Sequence, residues 1–265
     1  MSPGAGGHAV SPAAPGDPTI TAVGPPGAPA IVFVHGTRLT RSAWAAQLDG
    51  LGGEFRVIAV DLPAHGTRAG ESFTLERAAD GLADTIRDQV PGGRAVVVGL
   101  SLGGYVAMAL AARQPERVRG LVLAGATAEP IGVRSLPYRA LAVALDRLDG
   151  PALNRLNAWF FRTRYPAAIA EPIVAGGFWS SGGAAALRTL FGQRFVPRLA
   201  AYSGPTLILN GQWDLLFRLS AGTFADAAVD ARRVRLPGAL HLSNLDRPAA
   251  FTEAVRRFAR SLAPD

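Results

Sequence analysis

The sequence predicts an α/β fold: a mostly parallel, doubly wound sheet with helices on both faces and a helical segment inserted late in the chain. Three observations lead to this class. Short aliphatic runs alternate with segments of helical periodicity. Most of the runs are continuous rather than alternating, as in strands that are covered on both faces. One connection, of about eighty residues, is far longer than a single crossover requires.

Seven segments rich in β-branched or aliphatic residues are predicted strands. They are Thr19–Val23, Ala30–Val34, Arg56–Val60, Ala95–Val98, Leu121–Ala124, Thr206–Leu209 and Ala231–Leu236. Four predicted helices lie between or after them: Ala43–Leu51, Leu75–Gln89, Leu102–Arg113 and Phe251–Leu262. The last helix carries its large apolar residues on one face and follows Pro248, which suits the first turn of a helix.

The long connection is itself predicted to be helical and is interpreted as a cap. Its four predicted helices are Leu136–Leu148, Leu153–Arg164, Ala167–Ala175 and Ala184–Phe195. Its aromatic residues are Trp159, Phe160, Phe161, Phe178, Trp179, Phe191 and Phe195. A small lid cannot easily bury all of these rings, so part of the set is expected to face the main domain. The predicted boundaries are a flexible tail at 1–18, a core at 19–128 and 202–265, and a helical cap at 129–201, inserted before the strand that leads to Asp214.

Composition excludes several classes of protein. The net charge of +7 and the pI near 11.0 come entirely from arginine, because the chain has no lysine, and the arginines are scattered rather than clustered. A nucleic-acid partner is therefore not expected. No apolar run approaches the roughly 18 residues of a membrane span, and no secretory signal is visible, so a cytoplasmic location without a membrane partner is expected. Without cysteine, a thiolate nucleophile is excluded.

The stretch VVVGLSLGGYV, residues 96–106, places Ser101 where a predicted strand turns into a predicted helix. Gly99 and Gly103 stand two residues before and after it. Small residues at these positions allow a sharp turn that exposes the serine hydroxyl. The same turn places the Leu102 N–H at a helix N-terminus, where an oxyanion is favoured.

Two further residues complete a pattern with Ser101. Asp214 stands just beyond one late strand, and His241 lies in the loop after the last strand. An aspartate or a histidine in a loop carries little information alone. Together with Ser101, however, they follow the order Ser, Asp, His along the chain, each at the carboxyl end of a predicted strand. A nucleophile elbow on such a sheet requires this order. Glu129, just past another strand, is the alternative acid.

The segment HGT, residues 35–37, follows an early strand. A serine hydrolase on this sheet takes one oxyanion donor from such a loop, and the Thr37 N–H is assigned that position. His35 is interpreted as a structural residue that orients the loop.

The chain resembles the α/β-hydrolase superfamily over roughly residues 20 to 262. The segments HGT, DLPAHG, GLSLGG, NGQWD and LHLSNLDRPAAF carry the resemblance, with His65 at a structural position. The departures are small: Leu240 stands where many relatives have glycine, and Leu102 follows the nucleophile where histidine or methionine is common. The resemblance implies that Ser101 attacks an acyl carbon while His241 accepts its proton and Asp214 orients His241. It implies no metal or organic cofactor.

Several activities remain open at this point. A small-molecule ester, lactone or thioester is the expected substrate, through an acyl-enzyme on Ser101. The same triad also serves C–C hydrolases, hydroxynitrile lyases and cofactor-free perhydrolases or haloperoxidases, and some members only bind ligands. The serine disfavours epoxide hydrolase and haloalkane dehalogenase chemistry, which use aspartate.

The substrate pocket is expected to be mostly apolar, because aromatic residues populate the cap. Trp159, Phe178 and Trp179 are its candidate lining residues. Arg38, next to Thr37, has two interpretations: it recognises an acidic substituent of the substrate, or it is a solvated surface residue. The oligomeric state stays undetermined.

Overall fold

The computed structural model describes residues 17–262 and contains a seven-stranded sheet. The strands are β1 (Ile20–Val23), β2 (Ala30–Val34), β3 (Arg56–Val60), β4 (Ala95–Leu100), β5 (Val118–Ala124), β6 (Pro205–Gly211) and β7 (Asp230–Leu236). Their order in the sheet is β1-β3-β2-β4-β5-β6-β7. The pair β1–β3 is antiparallel and every other neighbouring pair is parallel, which confirms the predicted fold class.

Twelve α-helices accompany these strands within the described residues. They are α1 (Ala45–Leu51), α2 (Leu75–Gln89), α3 (Leu102–Arg113), α4 (Leu136–Leu148), α5 (Pro151–Arg164), α6 (Ala167–Gly176), α7 (Ser180–Leu190), α8 (Val196–Ala200), α9 (Leu215–Arg218), α10 (Ala221–Ala227), α11 (Ser243–Asp246) and α12 (Pro248–Arg260). Helices α2, α3 and α4 begin and end at the predicted residues. Thr74 caps α2, since its side chain accepts a hydrogen bond from the Arg77 N–H at 3.1 Å.

One predicted helix has the wrong bounds. The helix expected at Ala184–Phe195 is α7, which begins at Ser180 and ends at Leu190. Gly182 and Gly183 lie in its first turn, where glycine ordinarily weakens a helix. A Cβ on Gly182 would lie 2.0 Å from the Ala64 carbonyl oxygen, so the close approach of a neighbouring loop requires glycine there.

Both faces of the sheet are buried, which explains the continuous apolar runs. Along β2, Val32 and Val34 belong to the apolar cluster that α2 and α3 cover, whereas Ile31 and Phe33 belong to the cluster on the opposite face. That second cluster includes residues of α1 and α12. Period-two alternation thus sends successive side chains into two different cores rather than into core and solvent.

Helices α4 to α8 form an insertion between β5 and β6 that packs on the main body. The Tyr105 hydroxyl, on α3, donates to the Ala128 carbonyl oxygen at 2.6 Å and shares a 2.6 Å hydrogen bond with the Tyr138 hydroxyl on α4. Phe161 and Phe178 lie in a third apolar cluster that also contains Leu39 from the main body. The domain boundaries and the role of the insertion as a cap stay predictions.

The predicted tail at 1–18 lies outside the described residues except for its last two positions. Within residues 17–262, no helix combines the length and the apolar character that crossing a bilayer requires.

Candidate active site

The turn between β4 and α3 holds Ser101 in a backbone conformation that side chains rarely adopt. Its φ is +52° and its ψ is −115°. The Ser101 N–H donates to the Ala124 carbonyl oxygen at 2.8 Å, which fixes the turn against the end of β5. This geometry is that of a nucleophile elbow, with the side chain at the carboxyl edge of the sheet.

Three glycines make the turn possible because each lies against a neighbouring atom. A Cβ on Gly99 would lie 2.3 Å from the Gly103 carbonyl oxygen, and one on Gly103 would lie 2.1 Å from the Val34 carbonyl oxygen. A Cβ on Gly104 would lie 2.3 Å from the Ala126 Cβ. Each distance is shorter than any real Cβ contact. The three glycines around Ser101 therefore serve close backbone packing.

Asp214 and His241 meet at the same edge of the sheet. Asp214 follows β6 and is 6% exposed, and its Oδ2 lies 2.9 Å from His241 Nδ1. A carboxylate only accepts hydrogen bonds, so Nδ1–H is the donor, and the neutral ring keeps Nε2 as a proton acceptor. The Phe217 ring stacks on the imidazole at a centroid distance of 4.8 Å and an interplanar angle of 16°.

Gly125 connects this pair with the elbow. It directly follows Ala124, the residue that accepts the Ser101 N–H. Its φ is +54°, and a Cβ there would lie 2.9 Å from His241 Nδ1 and 3.0 Å from Asp214 Oδ2. Gly125 therefore lies against the Asp214–His241 pair, and its neighbour Ala124 is hydrogen-bonded to Ser101. That the serine, histidine and aspartate act together stays a prediction.

The loop after β2 runs beside the elbow. A Cβ on Gly36 would lie 3.5 Å from the Ser101 Cβ. Thr37 follows directly, and Leu102 is the first residue of α3, whose N–H has no acceptor within the helix. Both predicted oxyanion donors therefore belong to segments that adjoin Ser101. Their action on a substrate stays a prediction.

A family comparison matches this chain over most of its length. The model of the Alpha/beta hydrolase family covers residues 31–254, which include the elbow, Asp214 and His241. The chain belongs to the alpha/beta hydrolase family. It is an α/β-fold hydrolase, as the sequence motifs predict.

Relatives of this hydrolase cover nearly the whole chain. It is 28% identical over 244 residues to 3-oxoadipate enol-lactonase 1 of Acinetobacter baylyi, covering 90% of this chain and 91% of that protein. It is 29% identical over 240 residues to the pimeloyl-[acyl-carrier protein] methyl ester esterase of Chromobacterium violaceum, covering 86% and 92%. The solved structure of the enol-lactonase from Burkholderia xenovorans matches with a TM-score of 0.76 at 29% identity, covering 91% and 96%.

Two buried histidines near the site of the hydrolase are held as neutral rings. His35 Nε2 accepts the Leu62 N–H at 3.0 Å while Nδ1–H donates to the Gly36 carbonyl oxygen at 2.8 Å. His65 Nε2 accepts the Arg38 N–H at 3.3 Å while Nδ1–H donates to the Pro63 carbonyl oxygen at 2.9 Å. Burial lowers the pKa of both rings, and that of His65 falls to about 3. These contacts give His35 and His65 positions that orient loops.

Arg38 of the hydrolase is partly buried rather than solvated. Its φ is +67°, and one guanidinium nitrogen donates to Asn157 Oδ1 of α5 at 3.2 Å. Burial lowers the pKa of the guanidinium. Arg38 is therefore not a fully solvated arginine, and its contact with a substrate stays a prediction.

The three aromatic candidates for the pocket lie in different surroundings. Phe178 is buried in the third apolar cluster, with its ring centroid 5.4 Å from that of Phe161. Trp159 is 63% exposed. Trp179 is partly buried, and its indole N–H donates to the Gly176 carbonyl oxygen at 3.1 Å. Their contact with a substrate stays a prediction.

The alternative acid, Glu129, has a different set of partners. Its Oε1 accepts the Phe195 and Val196 N–H groups at 2.9 and 2.8 Å, at the start of α8. The carboxylate therefore holds the end of the insertion, whereas Asp214 is the acid that contacts His241.

Sequence reasoning missed Gly125 and Phe217. Neither belongs to a motif that the sequence singles out, and both reach His241 only through the fold. The single detectable signal is the glycine directly after the strand ending at Ala124.

The low pKa of His65 predicts an acid-dependent loss of stability. Above pH 6.5 the ring is neutral in both the folded and unfolded states and contributes no pH dependence. Below pH 6.5 the unfolded chain takes up a proton that the folded chain refuses until about pH 3. The free energy of unfolding therefore falls by up to about 1.4 kcal/mol per pH unit for this ring between pH 6 and pH 4.

Urea unfolding of the wild type and of His65→Gln over this pH range measures the effect. As the pH falls, the free energy of unfolding of the variant is expected to decrease less steeply than that of the wild type, and the difference in slope corresponds to the uptake of about one proton. The carboxylates and His35 contribute to the pH dependence of both proteins. Parallel pH profiles would show that His65 titrates normally in the folded state.

Proposed function

We propose that this hydrolase cleaves a small-molecule carboxylic ester, lactone or thioester through an acyl-enzyme on Ser101. The observation that carries the proposal is the 2.9 Å hydrogen bond between Asp214 and His241. It lies at the sheet edge that also holds the strained serine. Two relatives support the ester class by their names, an enol-lactonase and a methyl ester esterase.

The proposed chemistry begins when the Ser101 oxygen attacks the acyl carbon and its proton passes to His241 Nε2. Asp214 keeps the ring in the reactive tautomer and stabilises the imidazolium. The negative charge on the former carbonyl oxygen is stabilised by the Thr37 and Leu102 N–H groups. The imidazolium then protonates the departing alcohol or thiol, and a water molecule, deprotonated by His241, releases the acid and restores Ser101.

The first test labels the nucleophile. A fluorophosphonate is expected to add once to the wild type, as read by intact mass, and not to Ser101→Ala. Ser72→Ala, which removes an exposed hydroxyl elsewhere, is the matched control and keeps the adduct. Labelling that persists in Ser101→Ala would reject the assigned nucleophile.

A second measurement distinguishes hydrolysis from the lyase and ligand-binding alternatives. Turnover of an ester, lactone and thioester panel in H₂¹⁸O is expected to place ¹⁸O in the acid product. Cleavage without ¹⁸O in the product would favour a lyase. Addition of the fluorophosphonate to Ser101 without turnover of any substrate would favour a ligand-binding member.

Asp214 and Glu129 are distinguished by a pair of isosteric substitutions. Asp214→Asn is expected to lower kcat by about 10³- to 10⁴-fold, since the amide no longer holds the reactive tautomer. Glu129→Gln keeps an oxygen that accepts the N–H groups at the start of α8, so kcat is expected to stay within about threefold. Steady-state kinetics on one ester measure both. A normal rate in Asp214→Asn would reject the assignment.

Gly125 offers a test of how closely the Asp–His pair must be held. Gly125→Ala is expected to lower kcat by about 10-fold or more, because the new Cβ displaces the pair. Gly132 is a matched control: its φ is +50°, but no atom lies within 4 Å of an added Cβ. Both alanines strain the backbone by about 1 kcal/mol.

Comparing kcat and the urea midpoint in the two variants separates strain from displacement. Gly132→Ala is expected to lose stability only. Equal kcat in Gly125→Ala and Gly132→Ala would show that the pair tolerates the methyl group.

A further inference from the structure

Arg38 is held in place from two sides. Its N–H donates to His65 Nε2 at 3.3 Å, and its carbonyl oxygen accepts the Trp179 N–H at 2.9 Å. These bonds keep a non-glycine residue at φ +67°, a conformation that surrounding structure must impose. Gly36, whose added Cβ would lie 3.5 Å from the Ser101 Cβ, is only two residues away. The backbone of Arg38 is therefore held in a fixed position beside the elbow.

Within the described part of the chain, the Arg38 guanidinium has no carboxylate partner. None of the ion pairs formed among residues 17–262 includes Arg38, whereas Arg41, three residues further on, pairs with the buried Asp61. The Arg38 side chain donates to the neutral Asn157 Oδ1 instead. An arginine has five N–H donors and remains charged at neutral pH. Withdrawing such a charge from water is costly unless an anion compensates it.

Other polar atoms around Arg38 also lack hydrogen-bond partners within the described chain. They are Thr37 Oγ1 and Asn157 Nδ2, both buried. Thr37 precedes Arg38, and Asn157 accepts a hydrogen bond from its guanidinium. Buried polar groups are ordinarily paired, so these two atoms and the guanidinium keep hydrogen-bonding capacity for a ligand.

The donor set defines the chemistry of that ligand. A guanidinium, a carboxamide NH₂ and a hydroxyl can all donate, and among these groups the single full charge is the guanidinium. A carboxylate accepts several hydrogen bonds and pairs with one guanidinium in a planar, bidentate manner. A phosphate dianion would call for more positive charge than this set supplies.

We propose that Arg38, with Asn157, binds a free carboxylate on the acyl part of the substrate. The substrate is thus the monoester, or the corresponding lactone or thioester, of a dicarboxylic acid. The carboxyl group near Ser101 is cleaved and the distal one pairs with Arg38. The proposal rests on the proposed function, because Ser101 defines which carboxyl reacts.

A pair of esters measures the contribution of the distal carboxylate. The acidic ester is monomethyl glutarate, and the neutral one is methyl 5-methylhexanoate, in which an isopropyl group replaces the carboxylate. The ratio of kcat/KM for the two esters is expected to fall about 10- to 100-fold in Arg38→Met. Arg162→Met, which removes an exposed arginine paired with Glu171, is expected to leave the ratio as in the wild type.

Binding without turnover separates this proposal from the proposed function. Titration calorimetry measures the binding of the monomethyl esters of succinate, glutarate and adipate to two proteins. One is Ser101→Ala, and the other is the double variant that carries both Ser101→Ala and Arg38→Met. At least one ester is expected to bind about 10- to 100-fold more tightly when Arg38 is present. That result stands even if Ser101 proves not to be the nucleophile.

Two results would overturn the proposal. One is an unchanged ratio of kcat/KM in Arg38→Met while Ser101 still labels and neutral esters still react. The other is equal binding, or no binding, of all three monoesters to the two variants.

Discussion

The site depends on one constraint, which is the left-handed backbone of Ser101 at the end of β4. A side chain in that conformation costs free energy that only the surroundings can offset. Glycines make this possible: α3 approaches β2 and the loop after β5 so closely that Gly103 and Gly104 have no room for a methyl group. Ser101 itself is half-buried at this turn.

Parallel strands bring the remaining groups to the same edge. The loops after β2, β5, β6 and β7 all leave the sheet at the carboxyl edge, where Ser101 leaves β4. Buried polar groups then tie the loops to one another. Asp61, after β3, accepts the Arg41 and Thr67 N–H groups at 2.8 and 3.0 Å, while His35 accepts the Leu62 N–H. The loop that carries Thr37 and Arg38 is therefore fixed before any substrate arrives.

The sequence reveals most of this fold because its signals are local. Continuous aliphatic runs mark most of the strands, and the glycine pattern around Ser101 has meaning only at a sharp turn. Asp214 and His241 are detectable because each follows a strand. Phe217 and Gly125 are not, since their contact with His241 depends on how β5, α9 and the last loop come together. The start of α7 is predicted too late for the same reason. Gly182 lowers the local helix propensity, and only the close approach of the loop that carries Ala64 explains why a glycine stands in this helix.

The insertion and the loop after β2 form a single packing unit, which has a consequence for specificity. A Cβ on Gly183 would lie 2.6 Å from Thr37 Oγ1 and 2.9 Å from Arg38 Cγ, so α7 rests directly on this loop. Asn157, from α5, meets the Arg38 guanidinium on the other side. The segment that carries the candidate oxyanion donor is thus positioned by the longest connection between two strands of this sheet. Because atoms in such contact cannot move independently, a change in the insertion that moves α7 also moves the loop that carries Thr37 and Arg38.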